Sequence, residues 1–172
     1  MFRIALAALA LTTGSAGAQD LSLYGGGELE FAFEEDGPGT GTNSYLSAYL
    51  ELESRGFYAG IWGQIANDDL ADEVDLYLGY RNELASGVSY DVGYIRYIYP
   101  NDGGDCCGEL TLSLGAPVGE KLSLSLDLAY DPENELGNAY VGAAFAATDR
   151  LEVSANYGVY AVADAGSERE WD

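Results

Sequence analysis

Tyr45-Leu46-Ser47-Ala48-Tyr49-Leu50-Glu51-Leu52-Glu53 alternates without a break between apolar and polar side chains. Leu46, Ala48, Leu50 and Leu52 form one set, and Tyr45, Ser47, Tyr49, Glu51 and Glu53 form the other. Successive side chains of a strand point to opposite faces, so the stretch predicts a strand with one apolar face and one polar, acid-bearing face. Working outward, Leu21, Leu23, Leu29, Phe31 and Phe33 alternate with Ser22, Glu28, Glu30 and Glu34. Val74, Leu76, Leu78 and Tyr80 alternate with Glu73, Asp75, Tyr77 and Arg81, and Leu122, Leu124, Leu126 and Leu128 with Ser123, Ser125 and Asp127. Alternation alone does not say whether the apolar face meets lipid or a second sheet.

The N-terminus carries an address. Arg3 is a short positive region, Ile4 to Leu11 an apolar run, and Ala16-Gly17-Ala18 a small-residue cleavage site, the pattern of a secretory signal peptide over residues 1–18. The apolar run is too short to span a bilayer as a helix, which takes about 20 residues. No Cys follows the cleavage site, which argues against an N-terminal lipid anchor. The mature chain is expected to begin near Gln19 and to be exported, with residues 19–172 as a single domain.

No later apolar run is long enough for a membrane helix, so any spanning must be done by strands closed into a barrel. The chain has 23 Gly, 14 Tyr and only 4 Pro, which suits strands better than helices. With 29 acids against 7 bases the formal charge is -22. That excludes nucleic acid as a natural partner, because phosphate binding needs a basic footprint.

The two cysteines, Cys106 and Cys107, are adjacent in a loop-like stretch from Asn101 to Gly108. Neighbouring Cα atoms are about 3.8 Å apart, below the usual disulfide range. A vicinal disulfide, an intermolecular bridge and a free pair all remain open.

Turn-rich clusters divide the mature chain into about nine segments of roughly 9–12 residues, the length of tilted membrane strands. They fall near 21–34, 44–53, 57–66, 73–81, 88–99, 109–116, 121–130, 139–147 and 151–162. Connections alternate in character. Those at Glu34 to Thr42, Asn67 to Asp72, Pro100 to Gly108 and Asp131 to Asn138 are longer and acidic; those at Ser54 to Gly56, Asn82 to Gly87, Pro117 to Glu120 and Thr148 to Arg150 are shorter, with Arg55, Arg81, Lys121 and Arg150 in or beside them. Long external loops and short periplasmic turns are the outer-membrane pattern. Tyr45, Tyr58, Tyr80, Tyr99, Tyr130, Tyr140 and Tyr160 sit toward segment ends, where some would form interfacial girdles. Arg96 has the parity of the apolar face. A bulge near Ile95 would flip the register and turn Tyr97 and Tyr99 outward; the alternative is that Arg96 snorkels at the rim. The bulge is preferred.

The chain has no histidine, which removes Ser-His-Asp and Cys-His nucleophile systems and His-containing metal sites. Carboxylates alone can do acid–base work, but their regular scatter singles out no pair, so no enzymatic activity and no cofactor are expected. Gly25-Gly26-Gly27 and Gly37-Pro38-Gly39 are not phosphate loops, because no helix follows them. The lumen-lining candidates are Glu28, Glu30, Glu51, Glu53, Asp75, Arg81, Asp91, Glu109, Asp127 and Glu152, with Glu73 beside them. A lumen lined by like charges would favour cations; the blander reading is carboxylates hydrated or bonded to Tyr, Ser and Gln64. Asp68, Asp69, Asp102 and Asp105 offer hard oxygen ligands for divalent cations such as Ca²⁺ or Mg²⁺. No loop has EF-hand spacing, and a solvated acidic rim is preferred.

Gly56-Phe57-Tyr58-Ala59-Gly60-Ile61-Trp62 is followed by Glu73-Val74-Asp75-Leu76-Tyr77-Leu78-Gly79-Tyr80, Asp91-Val92-Gly93-Tyr94, Tyr97-Ile98-Tyr99-Pro100 and Gly108-Glu109-Leu110. This succession, over about residues 44 to 162, resembles the TorF-type family of proteins proposed as porins of Gram-negative bacteria, also called Gcw_chp. The resemblance implies an exported outer-membrane barrel of unassigned solute and carries no catalytic or cofactor residues across. Cys106-Cys107 departs from the pattern, and members usually continue beyond Trp171-Asp172 with further strand sequence.

The expected fold is therefore all-β, an antiparallel up-and-down outer-membrane β-barrel of about 8–10 strands. Gly166 to Asp172 reads as another acidic external loop. Nine strands is an odd count where bacterial barrels are even, so the chain is C-terminally incomplete or one hairpin is uncounted, the first being preferred. The expected function is a porin passing small solutes, cation-preferring, in contact with outer-membrane lipid. The alternatives are a closed barrel acting structurally or through its acidic loops, and a soluble periplasmic β-sandwich or lipocalin-like binding protein.

Overall fold

The computed structural model describes residues 2–6, 21–33, 42–67, 72–162 and 166–171. These form eleven strands: β1 (Phe2–Leu6), β2 (Leu21–Phe33), β3 (Thr42–Ser54), β4 (Phe57–Ala66), β5 (Glu73–Glu83), β6 (Ser89–Tyr99), β7 (Gly104–Val118), β8 (Leu122–Asp131), β9 (Leu136–Thr148), β10 (Leu151–Val162) and β11 (Gly166–Trp171). They build one sheet in which spatial order follows chain order from β1 to β11. The fold is all-β, antiparallel and up-and-down, and among the described residues the sheet does not close.

Strands β2 to β10 correspond to the nine alternating segments, with one correction: β7 begins at Gly104 rather than near 109, so Cys106 and Cys107 lie in a strand and not in the expected loop. The two flanking strands were not foreseen. β1 lies within the expected signal peptide and pairs with β2 from Phe2↔Phe33 to Leu6↔Leu29; Ala16-Gly17-Ala18 lies outside the described residues. β11 corrects the reading of residues 166–172 as a loop, because Gly166–Trp171 pairs with β10 from Val162↔Gly166 to Tyr157↔Trp171. From β2 to β11 the strand count is ten, an even number.

The chain divides into two compact units. In the first, Met1–Leu78 with Arg96–Cys106, β2 pairs with β3 from Leu21↔Ser54 to Phe33↔Thr42, and β3 with β4 from Ser54↔Phe57 to Tyr45↔Ala66. Only Arg55 and Gly56 join β3 to β4, with φ of 52 and 85 degrees. Two successive positive φ values are what a type I′ hairpin turn requires, and that turn matches the twist of the strands it joins. The other end of this hairpin is tied by Asn67, whose side-chain oxygen accepts from Ser44 N at 2.9 Å.

In the second unit, Gly79–Ile95 with Cys107–Asp172, β7, β8, β9 and β10 pair in succession. Asp149 and Arg150 alone join β9 to β10, and the register shifts between Leu151 and Glu152. Asp131 closes the β8–β9 connection. Its carboxylate is only 4% exposed and accepts from Glu133 N at 2.8 Å, Asn134 N at 3.2 Å and Asn134 Nδ2 at 2.6 Å. Sequence alone counted this residue among the solvated loop acids; the structure makes it the organiser of the turn.

In β4 and β9 the apolar-face residues are the exposed ones. In β4 Phe57, Ala59, Ile61 and Ile65 are exposed, while Tyr58, Gly60, Trp62 and Gln64 between them are half-buried. In β8, by contrast, Leu122 and Leu126 are half-buried with Ser123, Ser125 and Asp127 exposed, and in β10 residues 151–157 are exposed on both faces. No large side chain among the described residues is fully buried.

Candidate functional site: the acid-bearing face

Register places the predicted acids of the first unit on one face. Glu28 lies opposite Ser47 and Glu30 opposite Tyr45, while Glu51 is flanked by Tyr24 and Gly60, and Glu53 by Ser22 and Tyr58. Glu51 is 9% exposed, whereas its chain neighbours Leu50 and Leu52 are 56% and 50% exposed. Glu30, Glu51 and Glu53 each make a polar or electrostatic contact, as half-buried carboxylates require. Asp75 is beside Glu73, and its Oδ1 is buried with no hydrogen-bond partner. Glu73 in turn accepts from the Tyr99 hydroxyl at 2.9 Å.

The remaining candidates fall in the second unit. Arg81 and Asp91 are half-buried and each makes a polar or electrostatic contact. Glu109 accepts from Asn138 Nδ2 at 3.4 Å. Asp127 stands between Ser113 and Tyr140 and is exposed, as is Glu152, opposite Ala146. The acids are therefore spread along the face rather than gathered at one point. Among the described residues no group of three or more His, Cys, Asp or Glu could hold a metal ion.

Two features of this face were missed by sequence reasoning. The first is a repeated pairing of tyrosine with glycine. The Tyr77 ring lies where a side chain on Gly60 would begin, Tyr140 covers Gly158, and Tyr49 covers Gly26 at 2.7 Å. Glycine gives the ring a flat bed on the sheet, an arrangement that also pins register. Tyr58 packs beside Tyr77 with ring centroids 6.2 Å apart. The second feature is the use of rim acids as loop ties. Asp72 accepts from Ala66 N and from Asn101 Nδ2, both at 2.9 Å, and Asp105 accepts from Arg96 Nε at 2.5 Å. That hydrogen bond, at the Gly104 end of β7, holds the Asp105 carboxyl below the usual range. Asp68 and Asp69 lie outside the described residues.

Arg96 thus meets its partner at the rim. The Tyr99 hydroxyl reaches Glu73, so Tyr99 stays on the acid-bearing face and is not turned outward by a bulge near Ile95. The tyrosines at segment ends also divide. Tyr80 and Tyr130 have apolar-face parity, Tyr130 pairing with Leu110, while Tyr45, Tyr58, Tyr140 and Tyr160 pair within the polar face. The Tyr80 ring lies 6.1 Å from that of Tyr90, and its hydroxyl accepts from Asn82 Nδ2 at 2.7 Å. Both cysteines are disulfide-bonded. The chain has only two, so the bond joins the neighbours Cys106 and Cys107.

These features define a class: a single antiparallel up-and-down sheet of amphipathic strands, each with an apolar face and a polar, acid-bearing face. Residues 47–168 match the family described as bacterial protein of unknown function (Gcw_chp), and the chain belongs to that family. No curated protein and no solved structure matches it.

Proposed function

We propose that the chain is an outer-membrane β-barrel, exported by the signal peptide at residues 1–18, that lets small solutes pass and favours cations. The observation that carries this reading is the exposure of apolar strand faces. Leu50 at 56%, Ile61 at 45%, Leu78 at 58% and Val141 at 51% are exposed, while Glu51 between two exposed leucines is nearly covered. Apolar faces exposed in this way within each unit are costly in water; in a bilayer they would be lipid-facing. No helix among the described residues is long and apolar enough to cross a membrane, and in this reading the strands span it. Closing the sheet would satisfy the edge groups that lipid cannot.

The acid-bearing face would then line a wet interior. Uncompensated carboxylates are costly in a dry core, and rings of acids bias permeation toward cations. Fractionation tests the location: recovery of the full-length protein as a soluble monomer without detergent would end the membrane reading. Planar-bilayer recording in asymmetric KCl tests the pore, with a reversal potential on the cation side expected. Zero conductance, or a chloride-side potential, would favour the closed structural barrel or an anion path instead.

A further inference from the structure

The second unit contains a hollow on its polar face, with a volume of about 460 Å³, within the range of small-molecule sites. It is built on a row that crosses five strands at one level: Ser89 on β6, Gly115 on β7, Ser125 on β8, Gly142 on β9 and Asn156 on β10. Register pairs Gly115 with Ser125, Ser125 with Gly142, and Gly142 with Asn156. The two glycines make the hollow. A Cβ on Gly142 would collide with both Ser125 Oγ and Asn156 Oδ1, and one on Gly115 would sit 2.5 Å from Ser89 Oγ. Polar atoms from flanking strands therefore converge over bare backbone. Ser89 Oγ also donates to Gly115 O at 3.4 Å. The next level repeats the pattern, with Ala144 between Ser123 and Ser154.

The chemistry of this lining differs from the rest of the polar face. Glu83 is its one ionisable residue. There is no base to hold an anion. Hydroxyls donate and accept, and an amide does both, which suits a ligand that carries many hydroxyls and no charge. Small flat walls at Ala116, Pro117 and Ala144 leave room for its carbon skeleton.

We propose that this hollow binds a small uncharged polyhydroxylated solute, a polyol or monosaccharide. Its role as a station in a solute path rests on the porin reading; the binding itself does not. The test uses the full-length protein in detergent with ribitol as probe, binding being followed by equilibrium dialysis and saturation-transfer NMR. Saturable binding is expected, weakened about tenfold or more by Gly142→Leu, which fills the hollow. The double change Ser125→Ala/Asn156→Ala keeps the space and removes the convergent polar atoms, and it should weaken binding likewise. No saturable ribitol binding, or an affinity unchanged in the double variant, would overturn the proposal. Bilayer conductance of the same preparations separates the two readings. Conductance without ribitol binding removes the hollow alone, and ribitol binding without conductance removes the pore while leaving the hollow.

Discussion

The ring of Tyr77 lies over Gly60, filling the space into which any larger residue at position 60 would project its side chain. The carbonyl oxygen of Leu50 would stand 2.7 Å from the same Cβ, so the position is hemmed by backbone as well as by the ring. Gly60→Val should destabilise the sheet by about 1–3 kcal/mol, the usual cost of overpacking. Gly63 is the control, because its Cβ would meet nothing closer than Glu73 O at 3.8 Å. Urea unfolding in lipid vesicles should separate Gly60→Val from a near-neutral Gly63→Ala, and equal behaviour of the two would remove the steric account.

Leu50 distinguishes a lipid face from a wet one. It is 56% exposed, so in water Leu50→Arg would cost little. At the centre of a lipid-facing band the same change costs about 2–4 kcal/mol. Folding measured in vesicles should show that penalty for Leu50→Arg and a smaller one for Ser47→Arg on the opposite face. A neutral Leu50→Arg would count directly against the membrane reading.

Charge on the other face sets ion preference in the proposed pore. Changing Glu28, Glu30, Glu51 and Glu53 together to glutamine should move the reversal potential in asymmetric KCl toward zero. An unmoved potential would take these four residues out of the permeation path.

Asp131 makes three hydrogen bonds within the β8–β9 turn and is nearly buried. Asp131→Ala leaves the amides of Glu133 and Asn134 without their acceptor, at a cost of about 1–3 kcal/mol. Amide exchange at 133 and 134 should accelerate before that of β8. Unchanged protection there would show that the turn is held by other contacts.

The Arg96–Asp105 pair predicts a local pH response. The Asp105 carboxyl is held below its ordinary value by the hydrogen bond from Arg96. The stabilisation is therefore present above the unfolded value, about 3.9 for Asp, and is lost as pH falls through the lower folded value. Carbon-13 titration of Asp105 should show a midpoint below that of ordinary aspartate, returning upward in Arg96→Gln. A wild-type midpoint at the ordinary value would dissolve the pair.

Alternation in β2 to β10 is a local property, set by the period of the strand, and was legible from residue order alone. The connection Ser54 to Gly56 was legible as short, but its two positive φ values at Arg55 and Gly56 came from the structure. The same order showed that acids share one face, and register sets Glu28, Glu30, Glu51 and Glu53 on a common face of β2 and β3. Register is not local. Apolar residues are odd-numbered in both β9 and β10, yet the two-residue turn Asp149-Arg150 would pair odd with even positions. The shift between Leu151 and Glu152 resolves the conflict, and it alone brings Gly158 under Tyr140 and Asn156 beside Gly142. β11 likewise exists through its pairing with β10, since its short acidic sequence has no strong alternation of its own. Chain chemistry decided which face carries the acids. Only the tertiary structure decided which residues meet on it, because a one-residue slip between strands exchanges every neighbour while leaving the composition of each strand unchanged.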